Sequence, residues 1–261
     1  MNQKNNIIWV VLVIFSYLGL SYLPVFGWGI SFLGSIFIII FGYKAWPKNF
    51  KQKLGILETL SQYLYSFLLL MIFSIFTFFF ISYLSELNNY GFAIGNIYNL
   101  IHICFYTLNE ELILGGLVLL FLKNKFKRKN PIYISLLVAL VFSVMHYTFY
   151  RWIFQGDAQG VLSSMSLLSL FLVGVIRNNL ILKFGHIGYS WALHFSWMAI
   201  MFGCSIYDQT SKVSLTQTER FNSLIGNEIT IGASIVLVII TTTIISKSKY
   251  KINNENVSAI L

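Results

Sequence analysis

The chain is built from continuous apolar runs of roughly 17 to 30 residues, each long enough for the ~20 residues that a membrane-spanning helix needs. Eight of them follow one another, at about 7–25, 28–43, 56–85, 92–122, 132–150, 161–182, 187–206 and 228–246. The pattern predicts an all-α fold, a polytopic transmembrane helix bundle of about eight spans. No 20–50 residue repeat, heptad array, Gly-rich phosphate loop or low-complexity tract divides it, so residues 1–261 are expected to form a single integral membrane domain.

Composition agrees with the pattern. The chain is 57% hydrophobic and 10% charged, with 24 Phe and 15 Tyr, whereas soluble domains carry about 25% charged residues. Lysine and arginine set the orientation. With an even number of spans and the N-terminus inside, the cytoplasmic segments hold Lys4; Lys44, Lys48, Lys51 and Lys53; Lys123, Lys125, Lys127, Arg128 and Lys129; Lys183; and Lys247, Lys249 and Lys251. The opposite side holds Arg151, Lys212 and Arg220 beside Glu86, Asp157, Asp208 and Glu219. The positive-inside bias therefore predicts that both termini are cytoplasmic. The first run lacks an A-x-A-like cleavage site and is followed almost at once by a second, so it is expected to be a retained helix rather than a signal peptide.

The net charge of +9 then has a simple reading. The basic residues are dispersed over loops at helix ends with no nucleic-acid module around them, so membrane lipids with anionic headgroups are the expected partner and nucleic acid is not. Cys104 and Cys204 both fall inside apolar runs and read as free thiols, since two cysteines without ligand spacing neither build a zinc site nor establish a disulfide.

Four polar residues break the apolar pattern. Glu110 and Glu111 lie side by side within 92–122, His146 within 132–150 and His194 within 187–206. A carboxylate at bilayer depth is expensive unless it meets a polar cavity or a partner, so such residues are functional candidates. Counted from the predicted cytoplasmic ends at 1.5 Å per residue, Glu110 lies about 18 Å deep, His146 about 21 Å and His194 about 11 Å. The overlap in depth fits one buried site; it does not fix which helix faces meet. Adjacent residues are about 100° apart around a helix, so Glu110 and Glu111 need not share a direction. The ordinary role of a lone intramembrane histidine is an interhelical hydrogen bond. His102 is expected to be structural, and His186, at a helix start beside Lys183, to meet water.

The local sequences carry a resemblance. Glu110-Glu111-Leu-Ile-Leu-Gly115-Gly116 resembles an EExxxR-G motif, Phe142-Ser-Val-Met-His146 an FxxxH motif, and Gly185-His-Ile-Gly188-Tyr-Ser-Trp-Ala-Leu-His194 a glycine-containing turn leading to a third histidine; Phe171-Leu-Val-Gly174 resembles a Gly-containing helix between them. In this order, over about 92–206, they are similar to the CPBP family, the CAAX proteases and bacteriocin-processing proteins also called the Abi family. The resemblance implies a glutamate-dependent intramembrane endopeptidase in a bacterial plasma membrane. Glu110 and His146 would activate a water, with Glu111 beside them, and His194 would stabilise the oxyanion. The substrate would be a membrane-associated peptide or protein.

Two positions depart from the family's pattern. Gly115 stands where the motif has arginine, and Met198 stands four residues after His194, where the family has Asn or Asp. Arg177, near the inner end of the sixth run, is the candidate replacement cation, against an ordinary role of snorkelling to the interface. Trp197 and Ser196 are candidate replacement donors, and an aromatic packed between helices is the ordinary reading of Trp197. These departures leave two alternatives: a catalytically degenerate family member acting as a membrane scaffold or bacteriocin self-immunity protein, and an ion-coupled transporter using the same four residues as a relay. No cofactor is expected; zinc stays open, although no H-E-x-x-H pair is present. The sequence leaves oligomeric state unread.

Overall fold

A computed structural model describes residues 3–22, 28–126, 129–148 and 161–258, with side chains from residue 8 onward except at 18–22, 28–30 and 247–258. Lys127, Arg128, Arg151 and Asp157, the side chains of Lys4, Lys247, Lys249 and Lys251, and the run ends at 23–25 and 149–150 lie outside the described residues. The chain is helical almost throughout: α1 (Gln3–Tyr22), α2 (Trp28–Ala45), α3 (Phe50–Leu54), α4 (Leu60–Leu87), α5 (Ile97–Glu110), α6 (Leu120–Lys125), α7 (Pro131–Thr148), α8 (Ser164–Phe184), α9 (Gly188–Gly203), α10 (Gln217–Arg220) and α11 (Glu228–Ser258). A π-helical segment, Glu111–Leu119, joins α5 to α6, and a second, Phe221–Ile225, follows α10. Two short antiparallel strands, β1 (Tyr90–Ala93) and β2 (Ser205–Asp208), complete the described elements, with Tyr90 opposite Asp208 and Ala93 opposite Ser205.

Among the described residues, five helical stretches are long and apolar enough to cross a membrane: Leu60–Leu87, Ile97–Lys125, Pro131–Thr148, Ser164–Phe184 and Glu228–Ser246. A helix satisfies its own backbone hydrogen bonds, which is what an apolar surround demands. The outer face of α4 shows the consequence: Leu64, Phe67, Leu68, Met71, Ile75, Phe76 and Phe79 all point outward and stay exposed, an apolar strip far larger than a water-facing helix carries. The remaining predicted spans are helical but shorter in their described apolar parts, Ile8–Tyr17 in α1, Ser31–Ala45 in α2 and the 16-residue α9.

Helix ends follow local chemistry. Thr59 accepts from Gln62 N while the Gln62 side chain accepts from Thr59 N, a capping box that starts α4. Ser163 and Asn96 cap α8 and α5 in the same sense. At the end of α8, Gly185 adopts φ +78 and donates its N–H to Ile181 O, the left-handed stop that glycine allows without a Cβ clash.

Two runs are shortened at one end: the 92–122 run becomes helical only from Ile97 and the 187–206 run stops being helical after Gly203, with the strand pair 90–93 and 205–208 at those ends, because glycines let backbones meet there. A Cβ on Gly95 would overlap the Gly203 carbonyl, and one on Gly91 would overlap the Tyr207 ring. The span 92–122 is also not one continuous α-helix, since its middle is the π-helical segment.

The helices pack in the order α1, α2, α5, α9, α4 along one side and α7, α8, α11 along the other, and the first π-helical segment and α9 both touch α8. Of the five long stretches, Ile97–Lys125 is the most enclosed. The two ends of the bundle differ in charge. Ile187 N donates to Gly55 O and Lys123 Nζ donates to Leu182 O, which gathers α3 and the connections α3–α4, α6–α7 and α8–α9 at one end. Lys51 and Lys53 lie in α3 and Lys129 in the α6–α7 connection, while Lys44, Lys123, Lys125 and Lys183 sit near the ends of α2, α6 and α8, and Lys48 in the turn before α3. The strand pair and α10 form the other end, with Glu86, Asp208, Glu219 and Glu228 beside Lys212 and Arg220. Arg220 is spent on the backbone, donating to Met201 O and Cys204 O at the close of α9.

Candidate functional site

Glu110 is the last residue of α5 and Glu111 the first of the π-helical segment. From Asn109 through Gly116 every side chain or Cα is buried, so neighbours that point in different directions around the helix all meet protein. π-Helical turns are uncommon and recur at functional sites. Here two glycines allow the close packing. A Cβ on Gly116 would overlap the Leu54 backbone carbonyl, and one on Gly115 would lie 2.5 Å from Ile181 Cδ1 and 3.1 Å from Glu111 Oε2.

Glu111 is the hub. Its Oε1 receives Arg177 Nε from α8 at 2.5 Å and His194 Nδ1 from α9 at 3.0 Å, and its Oε2 receives the Ser190 hydroxyl, also from α9, at 2.6 Å. Three donors from two other helices thus converge on one carboxylate, and charge-assisted bonds of this kind are the strong ones. Arg177 and Glu111 are 1% and 0% exposed. A hydrogen bond from Nδ1 to a carboxylate requires the proton on Nδ1, and it turns the other ring nitrogen toward Glu110, where His194 Nε2 lies 3.8 Å from Oε2. That gap is too wide for a direct hydrogen bond. Glu110 Oε2 and Arg177 Nη2 are both buried and, among the described residues, have no hydrogen-bond partner.

Phe142 of α7 closes the cluster from the side. The Arg177 guanidinium lies over its ring at 4.3 Å from the centroid, a cation–π contact that gains strength when desolvated. The His146 ring packs against Phe142 at 4.4 Å and the His194 ring meets it edge-on at 6.3 Å, so the two imidazoles flank one phenyl group. His146 Nδ1 bonds the Phe142 carbonyl of its own helix at 2.9 Å. It therefore joins the cluster through Phe142 and not through either glutamate. The resemblance pairs Glu110 with His146; the imidazole beside Glu110 is that of His194.

Of the sequence candidates, Glu110, Glu111, His194 and Arg177 form one constellation, with His146 at its edge. Arg177 does not snorkel: it reaches inward and pairs with Glu111. Trp197 packs half-buried against Phe80 of α4, with ring centroids 6.0 Å apart. Ser196 is committed to the α9–α4 contact, donating to Ala192 O and accepting from the Ser74 hydroxyl. Met198 is half-buried on the same helix. His102 Nδ1 shares a hydrogen bond with Ser31 of α2 at 3.1 Å, an interhelical role as expected. His186 departs from expectation: it is buried at 5% exposure, and its Nδ1 accepts from Gly188 N within the turn. Cys104 and Cys204 are free thiols, both half-buried.

Sequence reasoning missed Ser190 and Asn109. Ser190 lies one helical turn before His194, so the same face that presents the imidazole also presents the hydroxyl, and that spacing was the available signal. Asn109, next to Glu110, accepts from the Ser35 hydroxyl at 2.5 Å and donates to Ser31 O, tying α5 to α2. Among the described residues, no three His, Cys, Asp or Glu side chains gather in a way that would hold a metal ion. No family model, curated protein or solved structure matches the chain.

Proposed function

We propose that the chain is a multi-pass membrane protein of eight spans, with both termini and the lysine-rich end cytoplasmic, and that it is an intramembrane endopeptidase in which Glu110 and His194 activate a water. The observation that carries this reading is Glu110 Oε2, a buried acceptor without a hydrogen-bond partner among the described residues, which faces the Nε2 of an imidazole held from behind by Glu111. A buried polar atom left unbonded costs about 1–3 kcal/mol, and a water bonded to Glu110 Oε2 and His194 Nε2 relieves that cost. Glu111 acts as a positioning residue, held by Ser190 and Arg177: it fixes the His194 tautomer and orientation, as the orienting carboxylate of a catalytic triad does. Positive-inside orientation follows from the charge difference between the two bundle ends. The motif order that resembles the CPBP family, the five long apolar helices and the convergence of three donors from two helices on one carboxylate all support it, and a bacterial plasma membrane is the setting that the resemblance implies.

In this reading Glu110 takes a proton from the water as its oxygen bonds the substrate's carbonyl carbon, and returns it to the leaving amine as the C–N bond breaks. Acid–base assistance of this type is worth about 10²–10⁴ in rate. The test is purified protein reconstituted in liposomes with a pool of quenched-fluorescent peptides. Glu110→Gln and His194→Ala are expected to lose hydrolysis by that factor, and His146→Ala to lose less. Hydrolysis indifferent to all three substitutions excludes the mechanism.

A second reading has its own observation. Both Glu111 oxygens are satisfied without any ligand, by Arg177, His194 and Ser190, as in a structural clasp between helices, and Met198 offers no donor. A non-catalytic scaffold or self-immunity protein fits that arrangement. It predicts that Glu110→Gln leaves the cellular phenotype intact while changes in the lysine-rich loops abolish it.

A further inference from the structure

The peptidase reading leaves one requirement unmet: a donor for the carbonyl oxygen that becomes negative as water attacks. Preorganised donors at that oxygen are often the largest single contribution to such catalysis. Met198 cannot serve. The Ser196 hydroxyl is spent on Ala192 O, and Trp197 packs against Phe80. Within the cluster, Arg177 Nε–H, His194 Nδ1–H and the Ser190 hydroxyl are all committed to Glu111. In this cluster, among the described residues, one buried donor is uncommitted, Arg177 Nη2, and one buried acceptor, Glu110 Oε2. A donor and an acceptor left open in one cluster match a reacting pair, a carbonyl oxygen and the water that attacks its carbon.

We infer that Arg177 is a catalytic residue, whose Nη2–H groups bind the carbonyl oxygen of an amide substrate and stabilise the oxyanion. This rests on the peptidase reading. Three features suit the guanidinium to the task. It keeps its protons at every accessible pH. Its Nε bond to Glu111 and its stacking on Phe142 hold the plane in place before substrate arrives. It reaches the site from α8, so it is independent of the α9 position that Met198 has vacated. The step balances: a water oxygen bonds the carbonyl carbon, the carbonyl π pair moves to the oxygen bound by Nη2, and Glu110 accepts the water proton. Collapse then restores the carbonyl, breaks the C–N bond and delivers the proton to the amine, giving one carboxylic acid and one amine.

The experiment uses a peptide from the liposome assay and its analogue carrying a thioamide at the scissile bond, whose sulfur is a poor hydrogen-bond acceptor. The wild type is expected to cleave the amide much faster than the thioamide. Arg177→Lys, which keeps a positive charge beside Glu111 but has no planar second nitrogen at that place, is expected to lose about 10²–10³ in kcat with little change in KM and to show a smaller amide-to-thioamide ratio. Ser190→Ala, which disturbs Glu111 alone, lowers the rate without altering the ratio. Equal ratios in wild type and Arg177→Lys, with cleavage still dependent on Glu110, overturn the role of Arg177 and leave the peptidase reading standing. If Arg177→Lys fails to reconstitute, wild type that cleaves both peptides equally well overturns it. Absence of any Glu110-dependent cleavage overturns both.

Discussion

The Glu111–Arg177 pair makes a quantitative prediction about stability. Both side chains are essentially sealed from solvent, at 0% and 1% exposure, and removing one member of such a pair leaves an uncompensated buried charge at a cost of about 3–5 kcal/mol. Arg177→Met strips Glu111 of its cation but leaves the Ser190 and His194 bonds; Glu111→Leu strips Arg177 of its Nε partner and orphans the Ser190 hydroxyl as well. Each single variant is therefore expected to lose about 3–5 kcal/mol, the second at the upper end. The double variant has no charge left to strand. It should cost no more than either single, with the shortfall from additivity at about 3 kcal/mol. The cation–π contact with Phe142 is lost wherever Arg177 is lost, so it cancels in the cycle. Equilibrium unfolding in mixed micelles, followed by the fluorescence of the chain's six tryptophans, measures all four proteins. Additive losses would refute the claim that the two side chains form the bonded core of the site.

Two glycines on different helices should respond oppositely to the same substitution. Gly116→Ala drives a methyl group into the Leu54 backbone and is expected to destabilise by about 1–3 kcal/mol, whereas Gly232→Ala in α11, where nothing lies within 4 Å, should be neutral or gain about 0.5–1 kcal/mol of helix propensity; the same unfolding assay reads both. A third prediction concerns pH. Burial pushes the His186 imidazole below its ordinary 6.5, and its Nδ1 accepts from Gly188 N, so the folded chain favours the neutral ring. Its contribution is complete above pH 6.5 and declines as pH falls below that, because the unfolded chain binds the proton first. His186→Gln, which keeps an acceptor without titrating, should flatten the stability profile on the acid side, and an unchanged slope would remove His186 from the account.

What the sequence revealed and what it withheld divide along physical lines. The helices were legible because length and unbroken apolarity decide them, five of the described stretches being long and apolar enough to cross a membrane, and the glutamates stood out because a carboxylate in such a run needs a reason. Which faces meet was not legible. In α4, α8 and α11 the apolar character runs all round the helix, so no stripe marks the inward side, and Arg177 could be read as facing the interface when it turns to a carboxylate 66 residues away in sequence. The local switch from α to π after Glu110 was equally hidden, because Gly115 and Gly116 advertise flexibility but not the Leu54 and Ile181 neighbours that use it. The strand pair was missed for a related reason: Gly91, Gly95 and Gly203 work through partners more than a hundred residues apart in sequence.

Arg177 brings its charge to Glu111 from another helix, where the motif that the sequence resembles would bring one from position 115. An arginine at 115 would project one turn beyond Glu111 on the same helix, and the Ile181 methyl already fills the first atom's place. Arriving from α8, the guanidinium instead bonds Glu111 through Nε and so ties the π-helical segment to α8, while Ser190 and His194 tie it to α9. The site becomes the joint of three helices. Glu110 Oε2 and His194 Nε2 face each other at this joint, 3.8 Å apart, and in the proposed peptidase reading they are the pair that shares the attacking water.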